Sequence, residues 1–253
     1  RFGPASRQQP LRTIADVFDA VERDEARYGV VPVENSTEGV VSHTLDLLVE
    51  SPLHAVSEVH LRVTHHLLNR SGARDDVRRI HSHPQALAQC RDWLGRNFPG
   101  TPFVDAGSTA EAAALAAEAP EVAAVASDLA ATDHGLRIVA RGIEDNPHNV
   151  TRFLVIGREP AARSGRDRTS LAFAVDHEVG ALHDALGVFA AEGVNLTRIQ
   201  SRPRRGTLWQ YVFFVDCDGH ATDPPVARAL AAIEARARFF RVLGSYPRNE
   251  DVD

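Results

Sequence analysis

The sequence predicts an α/β region ending near residue 157 and, after a linker at residues 158–168, a small α+β domain at residues 169–247 of βαββαβ order. Three observations carry this prediction. Up to Gly157, short apolar runs alternate with segments whose apolar residues recur at helical spacing, the pattern of strands flanked by packed helices. At Arg158–Arg168 (REPAARSGRDR) the composition turns polar and Arg-rich and includes Pro160 and Gly165, which marks a connection. Beyond it, periodic segments follow in the split-βαβ order.

The elements follow in chain order. Ile14, Val17, Phe18 and Val21 fall on one helical face, and Tyr28–Val33 (YGVVPV) reads as a buried strand. Val77–Ile80, Thr101–Val104, Val122–Ala126 and Thr151–Ile156 are further strands, with helices expected at Pro84–Leu94 and Thr109–Ala119. Strands alternating with helices predict parallel sheets with helices on their faces. Ligands of such sheets sit beyond the carboxyl ends of the strands. After the linker come a strand (Ser170–Val175), a helix (Ala181–Glu192), two strands (Leu196–Arg202 and Leu208–Asp216), a helix (Pro225–Ala235) and a last strand (Phe239–Ser245).

Composition narrows the chemistry. With 253 residues, 43% hydrophobic and 25% charged, the chain can bury a core in each domain. A net charge of -6 argues against a nucleic-acid surface. No run approaches the ~18 apolar residues of a membrane helix, and no charged-then-apolar segment directs export, so a cytoplasmic protein is expected. Every basic residue is Arg, which removes Schiff-base chemistry and the lysine of phosphate loops. Cys90 and Cys217 fit neither a disulfide framework nor a zinc pattern. His65-His66 reads as a surface pair, and His81 with His83 lacks a third ligand, so no metal and no cofactor are expected.

Four polar clusters interrupt the apolar segments: Glu34-Asn35-Ser36-Thr37-Glu38-Gly39, His81-Ser82-His83-Pro84-Gln85, Ser108-Thr109-Ala110-Glu111, and His148-Asn149-Val150-Thr151-Arg152-Phe153. Taken singly, each has an ordinary reading. Ser108 is a helix cap with Glu111 closing a capping box, Pro84 suits a first helical turn, and Thr151 is a strand residue. Together they offer hydroxyl, amide and backbone N–H donors to an anion, and Arg152 adds a forked cationic donor. Such donors suit a small di- or tricarboxylate. Without a strong base, an activated thiol or a metal cage, the expected reaction is one whose substrate carries its own driving force.

The clusters resemble those of prephenate dehydratase. Val31-Pro32-Val33-Glu34-Asn35-Ser36-Thr37-Glu38-Gly39 is similar to its VPIENS-x-x-G block, His83-Pro84-Gln85-Ala86-Leu87-Ala88-Gln89-Cys90 to its HPQALAQC block, and Asp145, Asn149 and Thr151-Arg152-Phe153 to its D-x(3)-N-x-TRF signature. In the second domain, Gly180-Ala181-Leu182 resembles the GAL loop of a phenylalanine-binding ACT module, and Asn195–Pro203 resembles its N-L-T-x-I-E-S-R-P run. The similarity spans nearly the whole chain in order. It departs after Gly3-Pro4, where Ala5-Ser6-Arg7 stands in place of the family's GTF run, and at Gln200, where the family usually carries Glu.

The resemblance implies a two-lobed, periplasmic-binding-protein-like catalytic domain at 1–157 (lobe one about 1–70 plus 141–157, lobe two about 71–140) and a ferredoxin-like ACT domain. It implies loss of water and CO2 from prephenate to give phenylpyruvate, with Thr151 as the proton donor and Arg152 and Phe153 beside it. Arg152 is expected to clamp the pyruvyl side chain. Asn35, Ser36, His83, Gln85, Ser108, Thr109 and Asn149 are expected to bind substrate. Phenylalanine is the implied inhibitor, held by Gly180, Ala181, Leu182, Asn195, Leu196, Gln200 and Ser201 in a homodimer or homotetramer. Gln200 offers only a neutral carbonyl to its ammonium group, which predicts weaker binding unless Gln200 faces elsewhere. The alternatives are an arogenate dehydratase, a prephenate decarboxylase, and a non-catalytic amino-acid sensor, which would need no proton donor.

Overall fold

The computed structural model describes residues 3, 6–203 and 211–249. In chain order the elements are α1 (Ile14–Glu22), β1 (Tyr28–Asn35), β2 (Gly39–Val40), α2 (Ser42–Glu50), β3 (His54–Arg62), β4 (His66–Asn69), β5 (Arg79–Ser82), α3 (Pro84–Gln89), α4 (Arg91–Asn97), β6 (Phe103–Asp105), α5 (Thr109–Glu118), β7 (Val122–Ala126), α6 (Asp128–Asp133), β8 (Arg137–Ala140), β9 (Val150–Gly157), β10 (Asp167–Ala174), α7 (Ala181–Ala191), β11 (Leu196–Pro203), β12 (Tyr211–Asp218), α8 (Pro224–Glu234) and β13 (Phe239–Pro247). Two compact units result: Arg1–Leu61 with Thr151–Asp253, and Arg62–Val150.

In the unit of residues 62–150, five strands are ordered β6-β5-β7-β4-β8. β5 runs parallel to β6 and β7, whereas β4 is antiparallel to β7 and β8. The sheet is therefore mixed rather than parallel. Both faces of β7 are covered, as its unbroken burial requires. Ala123 and Val125 pack with Ala86, Cys90 and Leu94, while Ala124 and Ala126 pack with the alanines of α5. The single helix expected over Pro84–Leu94 is two, α3 and α4, joined at Cys90. The Asp145 carboxylate accepts hydrogen bonds from the backbone N–H groups of Asp92 and Trp93, each at 3.0 Å. It thereby caps a new helix start.

The other unit holds two four-stranded sheets, ordered β2-β1-β9-β3 and β11-β12-β10-β13. β9 runs antiparallel to β1. Alternation of strands and helices predicts parallel pairing only when sheet neighbours follow each other in sequence, and here β1 is paired with a strand from more than a hundred residues later. The second sheet pairs antiparallel at each of its contacts. β10 starts at Asp167, earlier than expected, because that buried carboxylate closes the preceding turn on the Ser164 hydroxyl and the N–H groups of Ser164 and Gly165. Part of the expected strand, Leu208–Gln210, lies outside the described residues, as do Pro4 and Ala5.

Alternation along the strands of the second sheet gives it two apolar faces. Leu171, Phe173, Val215 and Cys217 pack under α7 and α8. Ala172, Val212, Phe214, Leu243 and Tyr246 instead share one core with Val31, Val33, Leu45, Leu48, Leu154 and Ile156 of the first sheet and α2. The approach is close: a Cβ at Gly244 would lie 2.1 Å from the Ala55 carbonyl oxygen.

A polar network sits inside this shared core. Glu58, in the middle of β3, is 0% exposed. Its Oε2 accepts from Arg152 Nε at 2.9 Å and from Arg168 Nη1 at 2.6 Å, and its Oε1 accepts from the Asn249 N–H at 3.0 Å. Arg152 Nη1 donates to Asp216 Oδ2 at 2.6 Å and Nη2 to Tyr246 Oη at 2.9 Å. Burial, with Asp216 and Glu58 nearby, outweighs the attraction of Arg152 and raises the Tyr246 hydroxyl above its ordinary range. It therefore stays protonated and donates to Ser170 Oγ, which donates to Asp216 Oδ1, both at 2.6 Å. Burial alone would raise the Asp216 carboxyl, but Arg152, Arg198 and the Ser170 hydrogen bond hold it below its ordinary value.

Three outcomes follow from this packing. Gly244→Ala should cost about 1–3 kcal/mol, because backbone must yield to the new methyl group, read as a lower urea midpoint. Glu58→Ala, which strips two buried guanidinium groups of a partner, should cost about 3–5 kcal/mol. The stabilising contribution of ionised Asp216 is present above the unfolded aspartate value of 3.8 and is lost as pH falls through its lower folded value. Urea midpoints measured from pH 6 downward should therefore decline below about pH 4.

Candidate active site

The strand pair β1–β9 organises the first cluster. Its register shifts between Pro32 and Glu34, after which Glu34 pairs with Arg152 and Asn35 with Thr151. Such a bulge re-aims the side chains that follow it. Asn35 Nδ2 donates to Thr151 Oγ1 at 2.8 Å. The other end of the amide is also fixed, since Asn35 Oδ1 accepts from the N–H groups of Thr37 at 2.9 Å and Glu38 at 3.0 Å. That turn carries Ser36, which is exposed.

Successive residues of a strand point to opposite faces. Arg152 accordingly lies on the face shared with Leu154 and Ile156, toward the second sheet, while Thr151 and Phe153 occupy the other face. The guanidinium of Arg152 is held by Glu58, Asp216 and Tyr246, with 12% of the side chain exposed. This differs from the open clamp on a substrate carboxylate expected from the sequence. Sequence reading also missed Glu58, Asp216 and Arg198 as partners of this site, because a charge inside a strand pattern normally signals a solvated face, and Tyr246, which lies one residue beyond the expected last strand.

In the unit of residues 62–150, the carboxyl edge of the parallel strands gathers the other candidates. Ser82 pairs with Asp105 at the ends of β5 and β6, so α3 and α5 both begin at this edge. His83 caps α3, its Nδ1 accepting from the Gln85 N–H at 3.3 Å. Ser108 Oγ accepts from the Glu111 N–H at 3.0 Å, while Glu111 bonds the N–H of Gly107. This is a variant of the expected capping box, which would have returned to Ser108. Thr109 is half-buried and Gln85 exposed. Ser127, which follows β7 and caps α6, belongs to the same edge; a Ser-Asp pair directly after an apolar strand was its signal. Asn149 is buried, its carbonyl accepting from the Val63 N–H at 2.8 Å. His65 and His66 are buried rather than superficial, bonded to Gln89 and to the Gly142 N–H.

The second-domain candidates separate by face. Gly180 opens α7 with φ of 84°, a conformation that favours glycine. Asn195 is exposed and donates to Asp218 at 3.0 Å. Leu196 packs against the core under α7. On β11, Ser201 pairs with Phe213 on the helix-covered side, whereas Gln200 pairs with Phe214, which faces the first sheet. Gln200 thus lies on the face opposite Gly180, Ala181 and Leu182. Both thiols are buried; burial, reinforced by Asp216 and Asp218, pushes Cys217 up to about 12, and burial also raises Cys90. Neither is an activated nucleophile. Among the described residues, no group of three His, Cys, Asp or Glu side chains is placed to hold a metal ion.

A model of the prephenate dehydratase family matches residues 1–161, and a model of the ACT domain matches residues 169–235. The bifunctional chorismate mutase/prephenate dehydratase of Aquifex aeolicus (strain VF5) is 46% identical over 247 residues, which are 98% of this chain and 68% of that protein. A solved structure described as prephenate dehydratase in complex with L-Phe, from Arthrobacter aurescens, superposes with a TM-score of 0.84 at 38% identity, covering 94% of this chain and 81% of that one. Another, described as a novel type of quorum quenching acylase, gives a TM-score of 0.86 at 38% identity and covers 98% and 91%. With one family model spanning more than half of the sequence and a second lying over the βαββαβ domain, the chain belongs to the prephenate dehydratase family and carries an ACT domain after its dehydratase region.

Proposed function

We propose that this chain converts prephenate to phenylpyruvate, water and CO2, and that L-phenylalanine bound to its ACT domain inhibits it. The observation that carries the catalytic reading is the hydrogen bond from Asn35 Nδ2 to Thr151 Oγ1. By accepting from the amide, the threonine oxygen keeps its own proton for donation and gains support for the charge it acquires on donating it.

In the reaction, the ring-carboxylate bond breaks and CO2 leaves. Its electron pair enters the ring, and the ring carbon–hydroxyl bond breaks as the hydroxyl takes up a proton and departs as water. One proton is consumed overall, and aromatisation supplies the driving force. Threonine is a weak acid, so transfer is late and follows hydrogen bonding to the leaving hydroxyl. General-acid assistance is worth ~10²–10⁴-fold, about 3–5 kcal/mol of barrier. Ser36 follows Asn35 in the turn after β1, and Phe153 lies two residues beyond Thr151 on β9. His83, Gln85, Ser108, Thr109 and Asn149 are assigned to carboxylate recognition, four of them at an edge where helix N-termini present N–H donors. Arg152 aligns the strand that carries Thr151. The two free cysteines fit a reducing compartment, and the cytoplasm is the location we assign.

For the effector, Gly180, Ala181, Leu182, Asn195, Leu196 and Ser201 remain the binding candidates. Gln200 faces away from α7, so its exchange for the family's usual glutamate leaves phenylalanine affinity close to that of Gln200→Glu. β11 is the outer strand of its sheet, with Ile199 exposed. An open edge of this kind pairs with another chain, and a homodimer formed there is the assembly we propose.

Thr151→Ala should lower kcat by about 10²-fold or more while the chain melts cooperatively, as followed by phenylpyruvate absorbance and circular dichroism. Turnover near normal would move the proton donor elsewhere. Offering arogenate beside prephenate separates the two dehydratase activities, and a prephenate product that retains the ring hydroxyl would identify a decarboxylase instead.

A further inference from the structure

We propose that Arg198 and Asp216, residues of the ACT sheet, are positioning residues for the Thr151 hydroxyl and act on it through Glu34 and Arg152. The inference rests on Thr151 being the proton donor of the reaction proposed above.

Four side chains form a closed circuit between the two sheets. Glu34 and Arg152 are backbone partners across β1 and β9, one residue before and one residue after the Asn35–Thr151 pair. Arg198 and Asp216 are backbone partners across β11 and β12. Arg198 Nε donates to Glu34 Oε2 at 2.8 Å, and Arg152 Nη1 donates to Asp216 Oδ2 at 2.6 Å. Each sheet thus offers one acid and one base, and each bond crosses from one sheet to the other. The side chains of Arg152 and Arg198 are each 12% exposed and that of Asp216 is 4% exposed, so water screens the Arg152–Asp216 bond weakly, whereas Glu34, 37% exposed, leaves its bond to Arg198 open to solvent on one side.

The circuit sits at the back of the catalytic pair. Bonds to Glu34 and Arg152 fix the peptide planes on either side of Asn35 and Thr151, and hence the direction in which the threonine hydroxyl points. The register shift between Pro32 and Glu34 is what turns Glu34 toward the ACT sheet while turning Asn35 to Thr151. Arg198 also lies on β11, two residues beyond Leu196 and three beyond Asn195, the residues assigned to the effector. A small displacement of β11 on effector binding therefore reaches Glu34 through one side chain. Misplacing a reacting group by about 1 Å can cost ~10²-fold in rate, so a modest shift of the hydroxyl suffices for inhibition.

The test uses the full chain with prephenate and L-phenylalanine. Arg198→Gln should lower kcat about 10-fold with KM within about twofold, and Arg198→Lys should recover part of the loss by keeping a charge near Glu34. Glu34→Gln, isosteric and partly exposed, should resemble Arg198→Gln, and the double variant should be no slower than about twofold beyond either single one, because both changes break the same bond. Calorimetry should show phenylalanine binding to Arg198→Gln within about threefold of the unmutated affinity, while saturating phenylalanine no longer inhibits. The inference is overturned if folded Arg198→Gln keeps the unmutated kcat, if the two single effects multiply in the double variant, or if inhibition persists undiminished. A merely structural bond would lower the melting temperature without producing the kcat–KM split or separating binding from inhibition. If the unmutated chain forms no phenylpyruvate, the proposed reaction fails first and this inference falls with it.

Discussion

The carboxylate of Glu58 is the point on which the larger unit depends. It lies in the middle of a strand with no access to water, and an unpaired charge there would be prohibitively costly. Its needs are met by two guanidinium groups from different sheets, Arg152 on β9 and Arg168 on β10, and by the Asn249 backbone. Satisfying one acid therefore fixes three strands against one another. Arg152 brings Asp216 and Tyr246 into the same arrangement, and Ser170 closes the ring of hydrogen bonds. Because the apolar core around it is non-directional, this polar ring is the part that specifies one stacking of the two sheets over a slightly rotated one.

The same constraint divides labour between neighbours. A strand presents adjacent residues to opposite sides, so Thr151 and Arg152 cannot both face one ligand from regular β-structure. The structure assigns the hydroxyl to the side where Asn35 meets it and the guanidinium to the side facing the ACT sheet. The bulge in β1 performs the complementary task on the paired strand, sending Glu34 to one side and Asn35 to the other. The proposed proton donor and a structural guanidinium are in this way packed into consecutive residues without competing for the same space.

In the unit of residues 62–150, the chemistry follows from the ends of parallel strands. His83, Ser108 and Ser127 each cap a helix that begins at the carboxyl edge of one sheet. Their side chains satisfy N–H groups of the first turn, and the helix dipoles leave that edge favourable to anions. Asp145, which opens the D-x(3)-N-x-TRF match, caps a helix in this structure. It starts α4 and so breaks the helix at Cys90, which turns Cys90 and Leu94 into the core.

Much of this was legible in the sequence. The βαββαβ order of the second domain, the strand carrying Thr151 and the cap at Ser108 were readable because periodicity and capping are local properties of the chain. The family blocks were readable because they preserve residue order. Several features were decided only by tertiary structure. β3 escaped notice because Glu58 interrupts its apolar pattern, and only the approach of Arg152 and Arg168, distant in sequence, makes a buried acid tolerable there. The antiparallel pairing of β1 with β9 depends on a strand that follows β1 in sequence only after the whole of residues 62–150. The commitment of Arg152 to the protein interior, and of Gln200 to the face opposite α7, follows from which side of each strand its sheet neighbours occupy. A sequence determines the alternation of side chains along a strand, but the choice of which face meets a ligand and which meets another sheet is made by packing between segments far apart in the chain.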